Sequence, residues 1–330
     1  MDENKQNINW FPGHMAKTRR MMEENIKLVD VVVEVVDARI PASSKNPYLD
    51  QLWNRRPRII AMNKTDLADP AVTERFKLWY EEKGFTVVMI DALKGKNIKD
   101  ISRRAVEIVR ARRSSQNAVY RADRPVRMMI TGIPNVGKST VINQLAHRSD
   151  AAKTGNKPGV TKGKQWIRLQ DGASLLDTPG ILWPKFDDQA TAWKIAFIGS
   201  ISDGILDTYN LCVNLLDNLK VRYGSRLTER YGIDPSVLQE DGAHILEAIG
   251  RRRGHLKQGG QVDVERTCVM VVDEFRSGKL GRISLETPEE LTAASAAADA
   301  ASEAENGPAA GEKEMGAAAE KDIHGEDRSE

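Results

Sequence analysis

Residues 132–139 read Gly-Ile-Pro-Asn-Val-Gly-Lys-Ser and match the pattern G-x-x-x-x-G-K-[ST]. The match follows Val126–Thr131, a short aliphatic run typical of a buried strand, and it opens a helical pattern over Lys138–Arg148. A strand, a glycine-rich turn and a helix bind phosphate well, because backbone N–H groups and the helix N-terminus all face the anion. The stretch therefore predicts a P-loop nucleotide-binding domain.

Two side chains of this stretch suit phosphate chemistry. The Lys138 ammonium would reach the β- and γ-phosphates, and the Ser139 hydroxyl would ligate Mg²⁺. The residues predicted to contact the nucleotide here are Gly132, Pro134, Asn135, Val136, Gly137, Lys138, Ser139 and Thr140.

Strand and helix patterns alternate around the P-loop. The predicted strands are Val29–Val36, Arg58–Met62, Thr86–Ile90, Val126–Thr131 and the pair Trp166–Leu169 and Ala173–Leu176, which a Gln-Asp-Gly turn joins. The predicted helices are Ala16–Leu28, Ala71–Lys83, Ile98–Arg113 and Lys138–Arg148. This alternation predicts an α/β fold with a mostly parallel sheet flanked by helices.

Strand signals fade beyond about residue 205. Helical periodicity at Leu206–Leu219, Asp234–Gly250 and Val262–Ser277 predicts a small all-helical domain. We therefore expect an α/β domain over 1–204, a helical domain over 205–287 and a disordered tail over 288–330. The tail is rich in Ala and Glu and has no aromatic residue, so it offers little apolar surface to offset the entropy lost on ordering.

Charge is distributed unevenly along the 330 residues, although the formal net charge is only +2. From Glu289 onward there are 12 acidic and 3 basic residues, whereas residues 1–288 contain 46 basic and 35 acidic residues. The net charges are thus −9 and +11. A basic body favours a polyanionic partner, with a solvated charged surface as the alternative for any single cluster. The clusters lie at 17–20, 103–104, 110–113, 162–164 and 251–253, with Lys257 nearby.

Composition also narrows the class of protein. The 2 cysteines, Cys212 and Cys268, lie far apart in the sequence and match no metal-ligand spacing, which suits a reducing compartment. No stretch approaches the ~18 consecutive apolar residues of a membrane span, and the first residues lack the apolar core of a signal peptide. We expect a cytoplasmic monomer with no membrane partner.

A base-reading loop is predicted directly after the second strand, where residues 63–66 read Asn-Lys-Thr-Asp. The Asp66 carboxylate can accept two hydrogen bonds from guanine, whereas adenine offers no such donor pair. The Lys64 stem can cover the base, and Asn63 can brace the loop. After the next strand, the Ala92 N–H in Asp91-Ala-Leu-Lys-Gly95 could donate to guanine O6.

A second phosphate-side motif, Asp-Thr-Pro-Gly at 177–180, closes the strand before it, 38 residues after Ser139. This placement predicts that Asp177 holds Mg²⁺ through a water molecule and that the Gly180 amide faces the γ-phosphate. A simple turn after a strand is the alternative.

The order of these motifs resembles that of circularly permuted GTPases, because the base-reading motifs precede the phosphate-binding ones. Within that class, the chain is similar to ribosome-assembly GTPases of the YlqF/RbgA family over about residues 8–285. The resembling stretches are Trp-Phe-Pro-Gly-His-Met at 10–15, Asp-Ala-Arg-Ile-Pro at 37–41, the motifs at 63–66 and 132–140, Pro-Gly-Val-Thr at 158–161 and Asp-Thr-Pro-Gly-Ile-Leu at 177–182. One departure is Asp91, where GTPases more often have Ser.

The resemblance implies GTP hydrolysis to GDP with Mg²⁺, and binding to a late precursor of the large ribosomal subunit, which hydrolysis would release. It also implies that Thr161 completes the Mg²⁺ shell beside Ser139 and Asp177. Two alternatives stay open: a GTP-gated RNA-binding scaffold with little turnover, and a GTPase with a non-ribosomal partner.

The water-orienting Gln of Ras-like enzymes is replaced here by Ile181. His14, within the family segment at 10–15, is the candidate catalytic residue because its ordinary pKa lies near neutrality. A structural or RNA-contacting role is the alternative. Asn135 resembles the P-loop Asn of potassium-activated GTPases and could hold K⁺ beside the phosphates as a catalytic element. Alternatively, it only shapes the loop.

Overall fold

The computed structural model describes residues 20, 23–47, 50, 56–115, 124–147, 166–169, 172–176, 188–201 and 207–305. Of the helix predicted over Ala16–Leu28, the described part includes residues 23–26, which are helical. Within the described residues, no helix is long and apolar enough to span a membrane.

Six strands form one sheet in the spatial order β3-β2-β1-β4-β6-β5. All neighbouring strands pair in parallel except β5 and β6, which are antiparallel. The strands are β1 (Val31–Asp37), β2 (Arg58–Asn63), β3 (Thr86–Met89), β4 (Val126–Thr131), β5 (Trp166–Arg168) and β6 (Ala173–Leu176). The mostly parallel α/β sheet predicted from the sequence is therefore confirmed.

The path of the chain explains how the motif order can be reversed. The chain lays down β1, β2 and β3 outward to one edge and then returns to place β4 on the other side of β1. The P-loop strand β4 thus lies in the middle of the sheet, with β1 and β6 as its neighbours. The carboxyl ends of β1, β2 and β4 meet at one edge, which is where open parallel sheets bind ligands.

In the described part of the chain, the sheet is accompanied by helices α1 (Pro70–Glu82), α2 (Ile98–Ser115), α3 (Lys138–Ala146) and α4 (Gln189–Phe197). Helix α1 begins where the sequence supplies a cap, because the Asp69 carboxylate accepts from the N–H groups of Ala71 and Val72 and Pro70 takes the first helical position. Helix α4 was not predicted as a separate element. It begins in the same way, with Asp188 accepting from Ala190 and Thr191.

Strand β1 is buried on both faces of the sheet. Val31, Val33 and Val35 belong to the large apolar core, whereas Val32 packs with Met129 and other residues in a smaller cluster on the opposite face. Each such side chain contributes about 1.5–3 kcal/mol when fully buried. This burial explains why the sequence of β1 is a continuous aliphatic run and not an alternating one.

The helical part contains α5 (Thr208–Tyr231), a short 3₁₀ helix (Pro235–Gln239), α6 (Gly242–Arg252) and α7 (Val264–Arg276). Helix α5 runs well past the predicted end at Leu219 and has non-helical backbone angles at Tyr223. The single helix predicted over Asp234–Gly250 is instead divided, because the Asp241 carboxylate accepts from the His244 N–H and starts α6.

The two cysteines, distant in the sequence, are close in the fold. Both are buried, and their thiols share a hydrogen bond between α5 and α7. That bond and burial together raise the pKa of Cys212 well above its ordinary value.

The helical part packs onto the α/β part within one compact unit that ends at Pro288. The Ile283 N–H donates to the Leu67 carbonyl over 2.9 Å, and the Asp69 N–H donates to Ser284 Oγ over 3.2 Å. The predicted boundary between residues 204 and 205 lies outside the described residues.

Within the tail that the sequence predicts to be disordered, the structure describes Pro288–Glu305 as helix α8. Alanine has the highest helix propensity, proline is tolerated at the first helical position, and Glu289 and Glu290 favour the helix N-terminus. The low hydrophobicity of this segment disfavours a packed core, but it does not prevent a helix. Residues 306–330 lie outside the described residues.

Candidate nucleotide-binding site

Two glycines allow the loop after β4 to turn tightly. Gly132 has a φ of 146°, and a Cβ there would lie 2.3 Å from the Val35 carbonyl oxygen. Gly137 has a φ of 99°, and a Cβ there would lie 2.3 Å from Asn63 Nδ2. Any side chain at either position would thus meet both strain and a clash. These are the two glycines of the P-loop pattern.

Lys138 begins helix α3 and folds back over the loop. Its Nζ donates to the Ile133 carbonyl oxygen over 2.8 Å, and the residue is buried. The ammonium is thus held inside the curve of the predicted phosphate-binding backbone. Ser139 and Thr140 follow at the start of α3 and are half-buried, so their hydroxyls belong to the same helix N-terminus.

One buried amide joins the base-reading loops to the P-loop. Asn63 Nδ2 donates to the Val136 carbonyl over 2.8 Å, and Asn63 Oδ1 accepts from the Ala92 N–H over 3.0 Å. The structure therefore brings together three segments that the sequence predicted separately. The Ala92 N–H, which the sequence predicts to donate to guanine O6, donates to Asn63 Oδ1 in this structure and so braces the loops.

Lys64 sits between two acceptors. Its Nζ donates to the Asn135 carbonyl over 2.7 Å and lies 2.9 Å from Asp37 Oδ2. Its backbone φ is 62°, in the left-handed region that non-glycine residues rarely adopt. Burial lowers the pKa of Lys64, and the Asp37 carboxylate opposes that effect.

The predicted base-reading carboxylate of Asp66 is part of a small charged cluster. Lys94 Nζ lies 3.6 Å from Asp66 Oδ2 and 3.4 Å from Asp91 Oδ2. Asp66 keeps 26% of its side chain exposed, so the carboxylate is accessible to a ligand. Asp91 Oδ1 also accepts from the Lys94 N–H over 3.0 Å, so aspartate braces this turn where serine is more frequent.

The tip of the P-loop contacts the segment that follows α4. Asn135 Nδ2 donates to the Gly199 carbonyl, and Ser200 Oγ donates to the Pro134 carbonyl over 2.6 Å. Asn135 has a φ of 61° and is exposed. The side-chain nitrogen of Asn135, Nδ2, thus bonds within the protein. A cation would require the side-chain oxygen, Oδ1.

Four of the predicted site residues, His14, Thr161, Asp177 and Gly180, lie outside the described residues. The described part of the chain contains no group of three or more His, Cys, Asp or Glu residues that could hold a metal. The predicted Mg²⁺ donors Ser139, Thr161 and Asp177 offer hydroxyl and carboxylate oxygens, which are the hard ligands that Mg²⁺ prefers.

Basic side chains are exposed on both parts of the compact unit. Arg110 and Arg112 are exposed near the end of α2, and Arg251–Arg253 are exposed at the end of α6. A groove of about 580 Å³ beside α2 and α3 is lined by Lys99, Arg103, Arg110, His147 and others. Some of this charge is internally paired, since Arg103 Nη2 lies 2.7 Å from Asp100 Oδ1.

Comparisons with known proteins agree with this geometry. A family profile described as "50S ribosome-binding GTPase" matches residues 127–234. The chain is 44% identical over 284 residues to Ribosome biogenesis GTPase A of Bacillus cereus, covering 86% of this chain and 95% of the relative. It is 32% identical over 287 residues to the protein of that name from Thermotoga maritima, covering 86% of this chain and 96% of the relative.

Solved structures resemble the fold as well. The GDP-bound structure of TM YlqF is 29% identical, with a TM-score of 0.58, and the match covers 82% of this chain and 100% of that one. The GNP-bound YlqF from T. maritima is also 29% identical, with a TM-score of 0.57, and covers 83% and 99%.

Proposed function

This chain belongs to the ribosome biogenesis GTPase A family, and we propose from its site how it binds guanine nucleotide and acts on the ribosome. It is a GTPase and a ribosome biogenesis factor. We infer that it binds a late precursor of the large ribosomal subunit in the GTP-bound form and leaves after hydrolysis.

The observation that carries the assignment is the double hydrogen bond of Asn63. It ties the loop at 63–66 both to the P-loop, through Val136, and to the loop at 91–95, through Ala92. A ligand with phosphates on the P-loop would therefore have its base beside Lys64 and Asp66. The half-exposed Asp66 carboxylate would accept from guanine, and Lys64 would cover one face of the base.

The phosphate side would use the start of α3. Lys138 would exchange its bond to the Ile133 carbonyl for the β- and γ-phosphates, and the backbone of 132–140 would surround them. Ser139, Thr161 and Asp177 would hold Mg²⁺, which supplies charge neutralisation at the transferring phosphate. The Gly180 amide would face the γ-phosphate.

For hydrolysis we propose that His14 orients the attacking water, because Ile181 cannot accept or donate a hydrogen bond. The test is partner-stimulated turnover of His14→Ala at saturating GTP. A loss of about 100-fold is expected, and an unchanged rate would assign His14 a structural or RNA-contacting role.

We further propose that Asn135 helps to bind K⁺, which would stabilise the charge that develops between the phosphates. Its exposed position at the P-loop tip supports the idea. Hydrolysis should then be faster in K⁺ than in Na⁺ at equal ionic strength, and equal rates would leave Asn135 as a residue that shapes the loop.

Release from the ribosome needs a connection between the nucleotide and the helical part, and helix α4 offers one. Arg276 of α7 donates from Nε to the Phe197 carbonyl and from Nη2 to the Ala196 carbonyl, each over 3.0 Å. Just beyond α4, the Gly199 carbonyl accepts from Asn135 and Ser200 Oγ donates to the Pro134 carbonyl at the P-loop tip. A change at the γ-phosphate could thus reach α7 through the C-terminal end of α4.

The decisive experiment is co-sedimentation of the full chain with large-subunit precursors in the presence of GDP or a non-hydrolysable GTP analogue. We expect binding with the analogue and loss of binding with GDP, and less binding as salt rises because the exposed arginines would contact RNA phosphates. Mature small subunits and an ATP analogue serve as controls. Equal affinity with GDP and the GTP analogue would contradict hydrolysis-driven release.

A further inference from the structure

A buried carboxylate that the nucleotide motifs do not include lies directly behind Lys64. Asp37 ends strand β1, and its side chain is fully buried. Oδ2 lies 2.9 Å from Lys64 Nζ and accepts from Arg39 Nη2 over 2.8 Å. Oδ1 accepts from Arg39 Nε over 2.9 Å and from the Arg39 N–H over 3.1 Å. The carboxylate of Asp37 thus bonds only Arg39 and Lys64 within the described structure.

These partners keep Asp37 ionised. Burial alone would raise the pKa of Asp37, but the guanidinium of Arg39 and the ammonium of Lys64 hold it well below its usual range. A buried carboxylate with both oxygens satisfied by charged donors has little freedom to move. It therefore offers a fixed point from which Lys64 can be positioned.

The conformation of Lys64 depends on such a fixed partner. Its backbone is in the left-handed region, and its side chain reaches the Asn135 carbonyl of the P-loop on one side and Asp37 on the other. Within the described structure, loss of Asp37 would leave the ammonium the bond to the Asn135 carbonyl, the charge of Asp66 and chain packing. The stem of Lys64 would then sample other rotamers, at an entropic cost to any ligand that requires one of them.

Asp37 is itself held from the helical part of the protein. The Arg39 guanidinium lies over the Phe275 ring of α7 at 5.1 Å, and the Leu285 N–H donates to the Arg39 carbonyl over 2.9 Å. Arg39 is buried. The contacts form a continuous series from α7 through Arg39 and Asp37 to Lys64 and the P-loop.

We propose that Asp37 is a positioning residue for the guanine nucleotide: it fixes Lys64 against the P-loop in the conformation that covers the base. The inference rests on the proposed role of Lys64 in the nucleotide site. Asp37 is fully buried behind Lys64, so a bound nucleotide would contact Lys64 and not Asp37. Removal of Asp37 should therefore weaken nucleotide affinity and leave the hydrolytic step almost unchanged.

A purely structural role is the competing explanation, because Asp37 also neutralises the buried Arg39. The two roles separate in the double variant Asp37→Asn/Arg39→Met, which removes both buried charges. If Asp37 only serves Arg39, this variant regains the affinity that Asp37→Asn loses. If Asp37 positions Lys64, the affinity stays low.

The test measures the Kd for GDP, and kcat and KM for GTP, in the full-length protein. Asp37→Asn and the double variant should each raise the Kd about tenfold, which corresponds to the loss of one charge-assisted hydrogen bond. The kcat at saturating GTP should stay within about twofold, because no group at the phosphates changes. In a Lys64→Ala background, Asp37→Asn should add little further loss.

Asp50→Asn is the matched control. Asp50 also lies between two cations, Lys45 and Arg58, but it does not contact Lys64 or the P-loop in the described structure. Its Kd for GDP should equal that of the wild type.

The inference is overturned by recovery of affinity in the double variant, by full additivity of Asp37→Asn with Lys64→Ala, or by equal losses in Asp37→Asn and Asp50→Asn. If Lys64→Ala itself leaves the Kd unchanged, the proposed role of Lys64 fails as well. If Lys64→Ala weakens binding while Asp37→Asn does not, only the inference fails.

Discussion

Strand β1 carries two buried carboxylates, three residues apart, whose environments have opposite effects. Glu34, in the middle of the strand, has its pKa raised by burial to about 7, against the smaller effects of Lys45 and the Asn46 N–H. Asp37, at the end of the strand, has its pKa lowered by Arg39 and Lys64 in spite of equal burial. Burial is thus the same at both sites, and the partners decide the charge.

The hydrogen bonds explain this difference. Asp37 accepts four bonds from two cationic residues, whereas Glu34 accepts from the Asn46 N–H over 2.9 Å and its Oε2 has no partner within the described structure. The carboxylate whose pKa is lowered stands at the sheet edge where open parallel sheets bind ligands, and the one whose pKa is raised lies farther back within the sheet. Strand β1 thus holds a carboxylate of lowered pKa at its end, beside Lys64, and one of raised pKa in its middle.

The largest expected effect is that of Asp37→Asn on stability. The change leaves Arg39 buried without its carboxylate, so the free energy of unfolding should fall by about 3–5 kcal/mol at pH 7. Because the pKa of Asp37 is lowered by folding, its contribution is present above the ordinary value of 3.8 and is lost as the pH falls below it. Urea unfolding at pH 7 and at acidic pH measures the difference.

The control for this variant is again Asp50→Asn. Asp50 is 40% exposed, and an exposed pair contributes under about 1 kcal/mol. Equal losses in the two variants would show that Asp37 has no special place in β1.

The contribution of Glu34 to the free energy of unfolding should change with pH in the opposite direction to that of Asp37, and Glu34→Gln tests this. Between pH 4.5, the ordinary value, and about 7, the unfolded chain releases a proton that the folded protein keeps, so wild-type stability should fall by about 3 kcal/mol as the pH rises. Glutamine cannot titrate, so the variant should gain stability relative to wild type over this window. Urea unfolding at pH 5 and pH 8 provides the measurement; parallel curves for the two proteins would show that Glu34 titrates normally.

A smaller effect is expected from Glu286→Gln in the segment that follows α7. Glu286 is buried, accepts from the N–H groups of Ala42 and Ser43, and lies 3.4 Å from Lys194 Nζ. Loss of its charge should cost about 2 kcal/mol, because these hydrogen bonds are charge-assisted. Thermal unfolding of Glu286→Gln and Glu286→Ala measures it. A wild-type melting temperature in both would mean that this contact does not hold the helical part on the sheet.

Much of the fold could be predicted from the sequence. Strand β4 has the predicted limits, and the starts of β2, β3, α2 and α3 also agree, because aliphatic runs and helical periodicity report burial directly. Asn63 could be predicted as a loop brace because its position after a strand is a local feature. The alanines of residues 288–305 favour the helix described there, whereas the low apolar content of this stretch predicts no packed core.

The parts of the site that could not be predicted depend on distant contacts. In the sequence, Asp37 is only the first residue of the family stretch at 37–41. No feature of the neighbouring residues shows that the Lys64 side chain reaches it. Its place at the carboxyl end of a buried strand was the available signal. Glu286 lies more than 240 residues from the N–H groups it accepts from, so no periodicity could connect them.

We propose above all that the loop at residues 63–66 reads guanine, with Asp66 as the accepting carboxylate. The most direct measurement is the nucleotide preference of Asp66→Asn. Xanthine carries a carbonyl where guanine carries its amino group, so an asparagine amide can donate where the aspartate accepted. Asp66→Asn should lose affinity for GDP by at least about 100-fold and bind XDP more tightly than GDP. Retained preference for GDP in a folded Asp66→Asn protein would contradict the proposal.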